Sequence, residues 1–392
     1  MRQRVGLVYP FRNLDSVPSL CNAAEMLAGA GYHVDIFTRV GPDFVPPSFD
    51  HEAIEILLSR PRHERAGLHR YIPVQLHHAF CVWNRHRQIP YRCFIGVDPR
   101  GLAHADYLSR LVRVPLVYFS LELLFADEAR TEERRRLKGT EVALSRRAAF
   151  VIVQDRERAR LLEEHNGVAP DKCVLVPNSP IGPGRRKPSG YWHRRFGLAP
   201  DTRVVLHAGS LWDFTCIREI ISSARSWPEN YVLVVHTRSD AALTGELRRI
   251  KGCIHGGRVF VSPKAVARQE YDALVDGGDI GIAFYIPTYD STLTGRNLER
   301  IGLSSGKTAY YLRSGLPVIV NEGTSVSRLV QAEGCGVCVG GAYEIGSAIA
   351  EVAGRYEDMS HRACKAFATH LDFARAFGVV LDRLESLNSR SR

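Results

Sequence analysis

The run Gly302-Leu303-Ser304-Ser305-Gly306-Lys307-Thr308-Ala309-Tyr310-Tyr311-Leu312-Arg313-Ser314-Gly315-Leu316-Pro317-Val318-Ile319-Val320 leaves the chain few options. Ser304, Ser305 and Gly306 are turn and cap residues, and Ser314-Gly315 stops a helix, so residues 308–313 form a short helix that starts at the Ser-Ser-Gly-Lys. Residues 316–320 read as a strand buried in a parallel sheet. First-turn amides have no acceptor inside their own helix. With the positive end of the helix dipole and the Lys307 ammonium, the amides at Ser305 and Gly306 make an anion site that suits phosphate. A loop, a phosphate-facing helix and a core strand, in that order, belong to an α/β domain.

The same alternation runs along the rest of the chain. Residues 4–9 form a strand, and Leu20, Ala23, Ala24, Leu27 and Ala28 recur at helical spacing behind Pro18, with Ser16 or Asp15 able to cap. Residues 33–38 are the next strand, but no G-x-G-x-x-G joins the two, which argues against a nicotinamide or flavin enzyme. The strand over 93–97 delivers Asp98, a crossover helix covers 101–111, and the strand over 114–119 leads to Ser120 and Glu122. Ligands of open α/β sheets bind beyond the carboxyl ends of strands, so Asp98 and Glu122 are candidate site residues. Strands over 150–155 and 173–176 flank a helix over 156–164. Residues 181–190 are the chain's richest stretch in Pro and Gly and read as an interdomain linker. A second α/β unit follows, with strands over 203–208, 231–237, 258–263 and 279–285 and a loop over 286–301. Cys335-Gly-Val-Cys338 stands alone among apolar neighbours and reads as a strand entry rather than a zinc or redox pair. Helices over 343–354, 358–370 and 371–387 close the chain.

Composition narrows the partners. At 392 residues, two cores are expected. Nine scattered cysteines fit a reducing cytoplasm better than a disulfide scaffold. Residues 5–9 are too short for a signal peptide's apolar region and no run reaches the length of a membrane span, so a soluble or peripheral protein is expected. The formal charge of +10 calls for an acidic partner. It is concentrated at Arg60, Arg62, Arg65, Arg70, Arg85, Arg87 and Arg92, interleaved with His63, His69, Trp83 and Tyr91, and again at Arg130, Arg134, Arg135, Arg136 and Lys138. No nucleic-acid motif accompanies these clusters, so nucleic acid is not expected, while an anionic membrane surface suits Arg among aromatics. Solvated faces with no partner are the alternative.

The segment S-G-K-x-x-x-Y-L-x-S-G-L-P-V-I over 305–319 resembles the donor-binding segment of group 1 nucleotide-sugar glycosyltransferases of the GT-B fold. Val174-Leu175-Val176-Pro177-Asn178-Ser179 resembles the end of that family's first domain. The resemblance implies two facing doubly wound, Rossmann-like α/β domains with an interdomain cleft: an acceptor-side domain over 1–182, a linker over 183–190, a donor-binding domain over 191–370, and a helix over 371–392 crossing back to the first domain. It implies transfer of a sugar from a nucleoside-diphosphate sugar to a hydroxyl of a carbohydrate or lipid-linked carbohydrate, as in polysaccharide biosynthesis, with no metal, no cofactor and retention of configuration. The donor would meet Gly209, Ser262, Ser304, Ser305, Gly306, Lys307 and Tyr310. Glu122, Lys307 and Arg296 would be catalytic, and Arg12, Asn13 and Asp98 would face the acceptor. Three positions depart from the family. Tyr310 stands where many members carry Glu, Trp212-Asp213-Phe214 follow Gly209 where an Arg and a Lys usually grip the distal phosphate, and Arg12-Asn13 replace a glycine-rich loop. Two other readings stay open: a nucleotide-sugar epimerase of the same fold, and a non-catalytic nucleotide-sugar-binding module.

Overall fold

Parallel pairing builds both sheets of the computed structural model, which describes residues 3–11, 14, 17–39, 47–49, 51–59, 71–237, 250, 254 and 257–387. The first sheet contains β1 (Arg4–Val8), β2 (His33–Arg39), β3 (Ile54–Ser59), β4 (Tyr91–Val97), β5 (Leu116–Phe119), β6 (Val151–Val153) and β7 (Cys173–Leu175), in the order β3-β2-β1-β4-β5-β6-β7. The second contains β8 (Arg203–Ala208), β9 (Tyr231–Thr237), β10 (Val259–Pro263), β11 (Ile280–Ala283), β12 (Val318–Asn321) and β13 (Gly336–Val339), in the order β10-β9-β8-β11-β12-β13. Each order reverses beside its first strand, between β1 and β4 and between β8 and β11. Such reversals are where doubly wound sheets open to a ligand.

The strands read as near-continuous apolar runs because helices cover both faces. In the first sheet, Val5 and Leu7 enter one core and Val8 and Phe94 another. In the second, Val204 and Leu206 divide from Val205 and Leu233 in the same way.

The chain separates into two compact units, Met1–Ile181 with Phe373–Arg392, and Gly182–Asp372. The last helix, Phe373–Ser386, buries Phe373, Phe377, Val380 and Leu384 in the core that holds Val5 and Ile95. Its end is closed by the Arg92 guanidinium, which donates to the carbonyls of Leu384 (Nε, 2.9 Å) and Glu385 (2.7 Å). Residues 183–190 are hydrogen-bonded coil within the second unit: Arg185 N–H donates to the Arg313 carbonyl at 2.7 Å and Ser189 N–H to that of Asp276 at 3.2 Å.

Several elements differ from the sequence reading. The first helix, Pro18–Gly29, is entered from Val17 with no side-chain cap, and Pro18 takes the first turn, where its missing N–H is no loss. Asp15 and Ser16 lie outside the described residues. Asp98 opens the Asp98–Val112 helix directly from β4. Two further helices, Tyr71–Gln88 and Glu132–Arg147, take up much of the basic sequence, and parts of the expected basic clusters are internal. Lys138 is buried on Glu141 (3.0 Å) and Asn166 (2.5 Å), Arg92 is buried on the last helix, and Arg85 pairs with Glu55 and Asp35. Arg60, Arg62, His63, Arg65, His69 and Arg70 lie outside the described residues. Cys338 lies in β13 with its Sγ 3.4 Å from the Ser327 carbonyl, and the described cysteines are all free.

Candidate active site

The site is assembled where β8, β11 and β12 end. Asn321, the last residue of β12, accepts the Tyr285 N–H at 2.6 Å and donates to the Tyr285 carbonyl at 3.2 Å, locking together the segments that leave β11 and β12. The Tyr285 hydroxyl lies 2.6 Å from Ser305 Oγ. Ser305 Oγ accepts the Thr308 N–H at 3.2 Å and so caps the Gly306–Arg313 helix. A strand-end asparagine thus positions a helix N-terminus through one tyrosine.

A 3-10 turn, Gly302–Ser304, precedes that helix and moves its free amides on by one residue. Ser304 N–H donates to the Ile301 carbonyl (2.7 Å) and Ser305 N–H to the Gly302 carbonyl (3.3 Å). The helix therefore presents the amides of Gly306 and Lys307, which have no intrahelical acceptor, and not the Ser305 amide expected from sequence.

Lys307 is the pivot. Its stem is partly exposed, but its Nζ is sealed from solvent with no hydrogen-bond partner among the described residues. The ammonium lies 5.6 Å from the centre of the Tyr285 ring. Its stem crosses Gly209 so closely that a Cβ there would stand 2.9 Å from Lys307 Cε, and Gly209 has a φ of +154°. The glycine after β8 therefore makes room for Lys307. Lys307 is thereby held between the ends of β8 and β11, where the strand order reverses.

Burial is the cause that pulls the Lys307 amine down to about 7, and no carboxylate among the described residues counters it. Its neighbour His207 is buried in β8 with Nε2 3.1 Å from the Ser210 carbonyl, so Nε2 carries the proton. Burial first, and the Lys307 charge second, hold His207 well below its ordinary value and keep the ring neutral. A sealed cation with no internal counter-ion is costly unless an outside anion pairs with it.

The other donor-side candidates are placed differently. Tyr310 is buried edge-on to Tyr271 (4.9 Å between centroids) with the Arg313 guanidinium 5.2 Å from its ring, so the ring packs in the core. Ser262 is buried at the end of β10 with Oγ 3.3 Å from His236 Nδ1. Arg296 opens the four-residue Arg296–Glu299 helix.

In the first unit, Asp98 is a buried pin rather than a free acceptor group. Its Oδ1 accepts the N–H groups of Leu121 and Glu122, both at 2.9 Å, and fixes the segment leaving β5. Burial, and next the Glu122 charge, raise its carboxyl to about 7 against the pull of those two amides. Its φ of +56° is a strained conformation for a non-glycine residue. The buried Arg158 supports the same segment by donating to the Leu121 carbonyl at 2.8 Å. Glu122 is half-buried with its backbone held by Asp98. Arg12 and Asn13 lie outside the described residues. Sequence reasoning missed Tyr285, Asn321 and His207, whose shared signal is their position at or beside the ends of neighbouring strands.

Residues 17–179 match the model of a glycosyl transferase 4-like domain, and residues 302–386 that of a glucosyltransferase 3-like, C-terminal domain. Among curated proteins none matches the chain. Sucrose-phosphate synthase from Thermosynechococcus elongatus has a similar structure, at 16% identity over 98% of this chain and 100% of that one, with a TM-score of 0.71. HepE from Anabaena, in complex with UDP and glucose, is 14% identical over 98% of this chain and 100% of that one, at 0.73. A protein from Rickettsia africae described as a glycosyltransferase is 12% identical over the full length of both chains, also at 0.73. These likenesses establish the fold across nearly the whole chain.

Proposed function

We propose that this chain, a glycosyltransferase of the GT-B fold, moves a glycosyl group from a nucleoside-diphosphate sugar to a hydroxyl of a carbohydrate or lipid-linked carbohydrate, without a metal and with retention. The observation that carries this reading is the sealed Lys307 ammonium, without a partner among the described residues, beside two free helix amides at a reversal of strand order. In the reaction the bond from the sugar's anomeric carbon to the β-phosphate oxygen breaks and its electrons pass to that oxygen. The Gly306 and Lys307 amides and the Lys307 ammonium receive the charge, each such donor contributing about 3–4 kcal/mol where it is aimed at the developing anion. The acceptor oxygen bonds to the anomeric carbon, and Glu122 orients it and takes its proton. UDP-glucose is the first donor to try, because HepE has been solved with it.

The test is to incubate the protein with nucleotide sugars, with and without carbohydrate and lipid-linked acceptors, in the presence of a chelator, and to read products by mass spectrometry. Glycosylated acceptor with released nucleoside diphosphate is expected. An isomerised nucleotide sugar formed without acceptor would instead mark an epimerase, and binding without any product a non-catalytic module.

Peripheral contact with an anionic membrane on the cytoplasmic side is part of the same proposal. It is favoured by the Tyr71–Gln88 helix, which carries no acidic residue and exposes Leu76 (59%), Phe80 (66%) and Trp83 (49%), with Arg87 stacked 4.7 Å from the Trp83 ring. No described helix is long and apolar enough to cross a membrane. Flotation with anionic liposomes is expected to weaken as salt rises. Equal flotation with neutral liposomes would exclude the electrostatic part.

A further inference from the structure

Trp212 leaves 63% of its surface open, while Trp192 and Trp227 are buried. Its side chain is exposed, yet its backbone is fixed. The Trp212 carbonyl accepts both the N–H (2.8 Å) and the hydroxyl (2.7 Å) of the buried Thr215. Two residues on, the Phe214 carbonyl accepts the Ile286 N–H at 2.8 Å, which ties this loop to the segment leaving β11 beside Tyr285. Leu211, its neighbour, turns into the core. The indole is therefore presented outward by a braced loop that starts at Gly209, the residue Lys307 crosses.

An indole offers a flat apolar face on a side chain that can bury roughly 150–250 Å² in all, and a single N–H at its rim. It cannot replace a phosphate-gripping cation. Its complement is the C–H face of a pyranose ring. The loop is tied to the segment leaving β11, whereas Ser262, at the end of β10, lies on the other side of β8 and beyond β9. We infer that Trp212 is a stacking platform for the sugar of the donor, the group bonded directly to the phosphate that Lys307 receives. This rests on the donor reading above and adds a residue that selects the sugar rather than the nucleotide.

The full-length protein, Trp212→Ala and Trp212→Phe are titrated calorimetrically with UDP and with UDP-glucose. UDP should bind all three within about twofold, because the loop is braced through backbone that both variants keep. UDP-glucose should bind Trp212→Ala about fivefold or more weakly and recover in Trp212→Phe. Unchanged UDP-glucose affinity in Trp212→Ala overturns the platform while leaving the donor site standing. So does an equal loss for UDP and UDP-glucose, or slower transfer to acceptor with intact UDP-glucose binding. If the unmodified protein binds neither nucleotide, the donor reading falls and the platform with it.

Discussion

Lys307 ionises near pH 7 in the folded chain, against 10.5 for an ordinary lysine, because burial disfavours its charge. A depressed value means that its contribution to stability is fully present above the unfolded value and is lost as pH falls through about 7. The second unit should therefore melt lower near pH 7 than near pH 9. Binding runs the other way. The diphosphate of UDP-glucose does not titrate in this range, and it needs the ammonium, so its affinity should fall about tenfold from pH 6 to pH 8. A flat calorimetric profile would contradict this. Asp98 gives a second prediction at the same scale. Asp98→Ala strands the Leu121 and Glu122 amides and should cost about 2–4 kcal/mol, whereas Asp98→Asn keeps an acceptor and should be much milder in thermal melts. Loss of transfer in Asp98→Asn with an unchanged melt would instead place Asp98 in the chemistry.

The elements around Lys307 were only partly legible in the sequence. Residues 302–320 could be read because a cap, a lysine, a helix stop and a buried strand fall in a forced order. The cap is Ser305, within the expected turn, but the free amides lie one residue further on, because the Gly302–Ser304 turn consumes the Ser305 amide, and no local pattern announces a single 3-10 turn. Tyr310 falls by count where many members of the resembled family carry Glu, but the helix points its ring into the core against Tyr271. The Glu132–Arg147 helix escaped notice because it is so charged that apolar periodicity barely shows. The Asn321–Tyr285–Ser305 chain needs strand order, which sequence alone does not supply. Gly209 shows how tight the arrangement is. Gly209→Ala places a Cβ against Lys307 Cε and keeps an unfavourable φ, so it should destabilise by about 1–3 kcal/mol and weaken UDP-glucose about tenfold or more. Native affinity in that variant would show that Lys307 is not held by this contact.

At the scale of the whole molecule, the sequence located two α/β halves, and the sheet orders add where each one opens. The first unit is discontinuous, finished by a helix from the far end of the chain. Deleting residues 373–392 removes four buried side chains worth about 1.5–3 kcal/mol each, comparable with the stability of a whole domain. The truncated protein should lose the cooperative melt of its first unit, and an unchanged melt would contradict that packing. For the second unit, the decisive measurement is calorimetric titration of Lys307→Met with UDP-glucose. Methionine keeps a stem of similar length across Gly209 and removes only the sealed charge. The variant should melt at or above the native temperature and bind UDP-glucose roughly ten- to a hundredfold more weakly. Affinity within about twofold of the unmodified protein would contradict the assignment of this helix to the donor diphosphate.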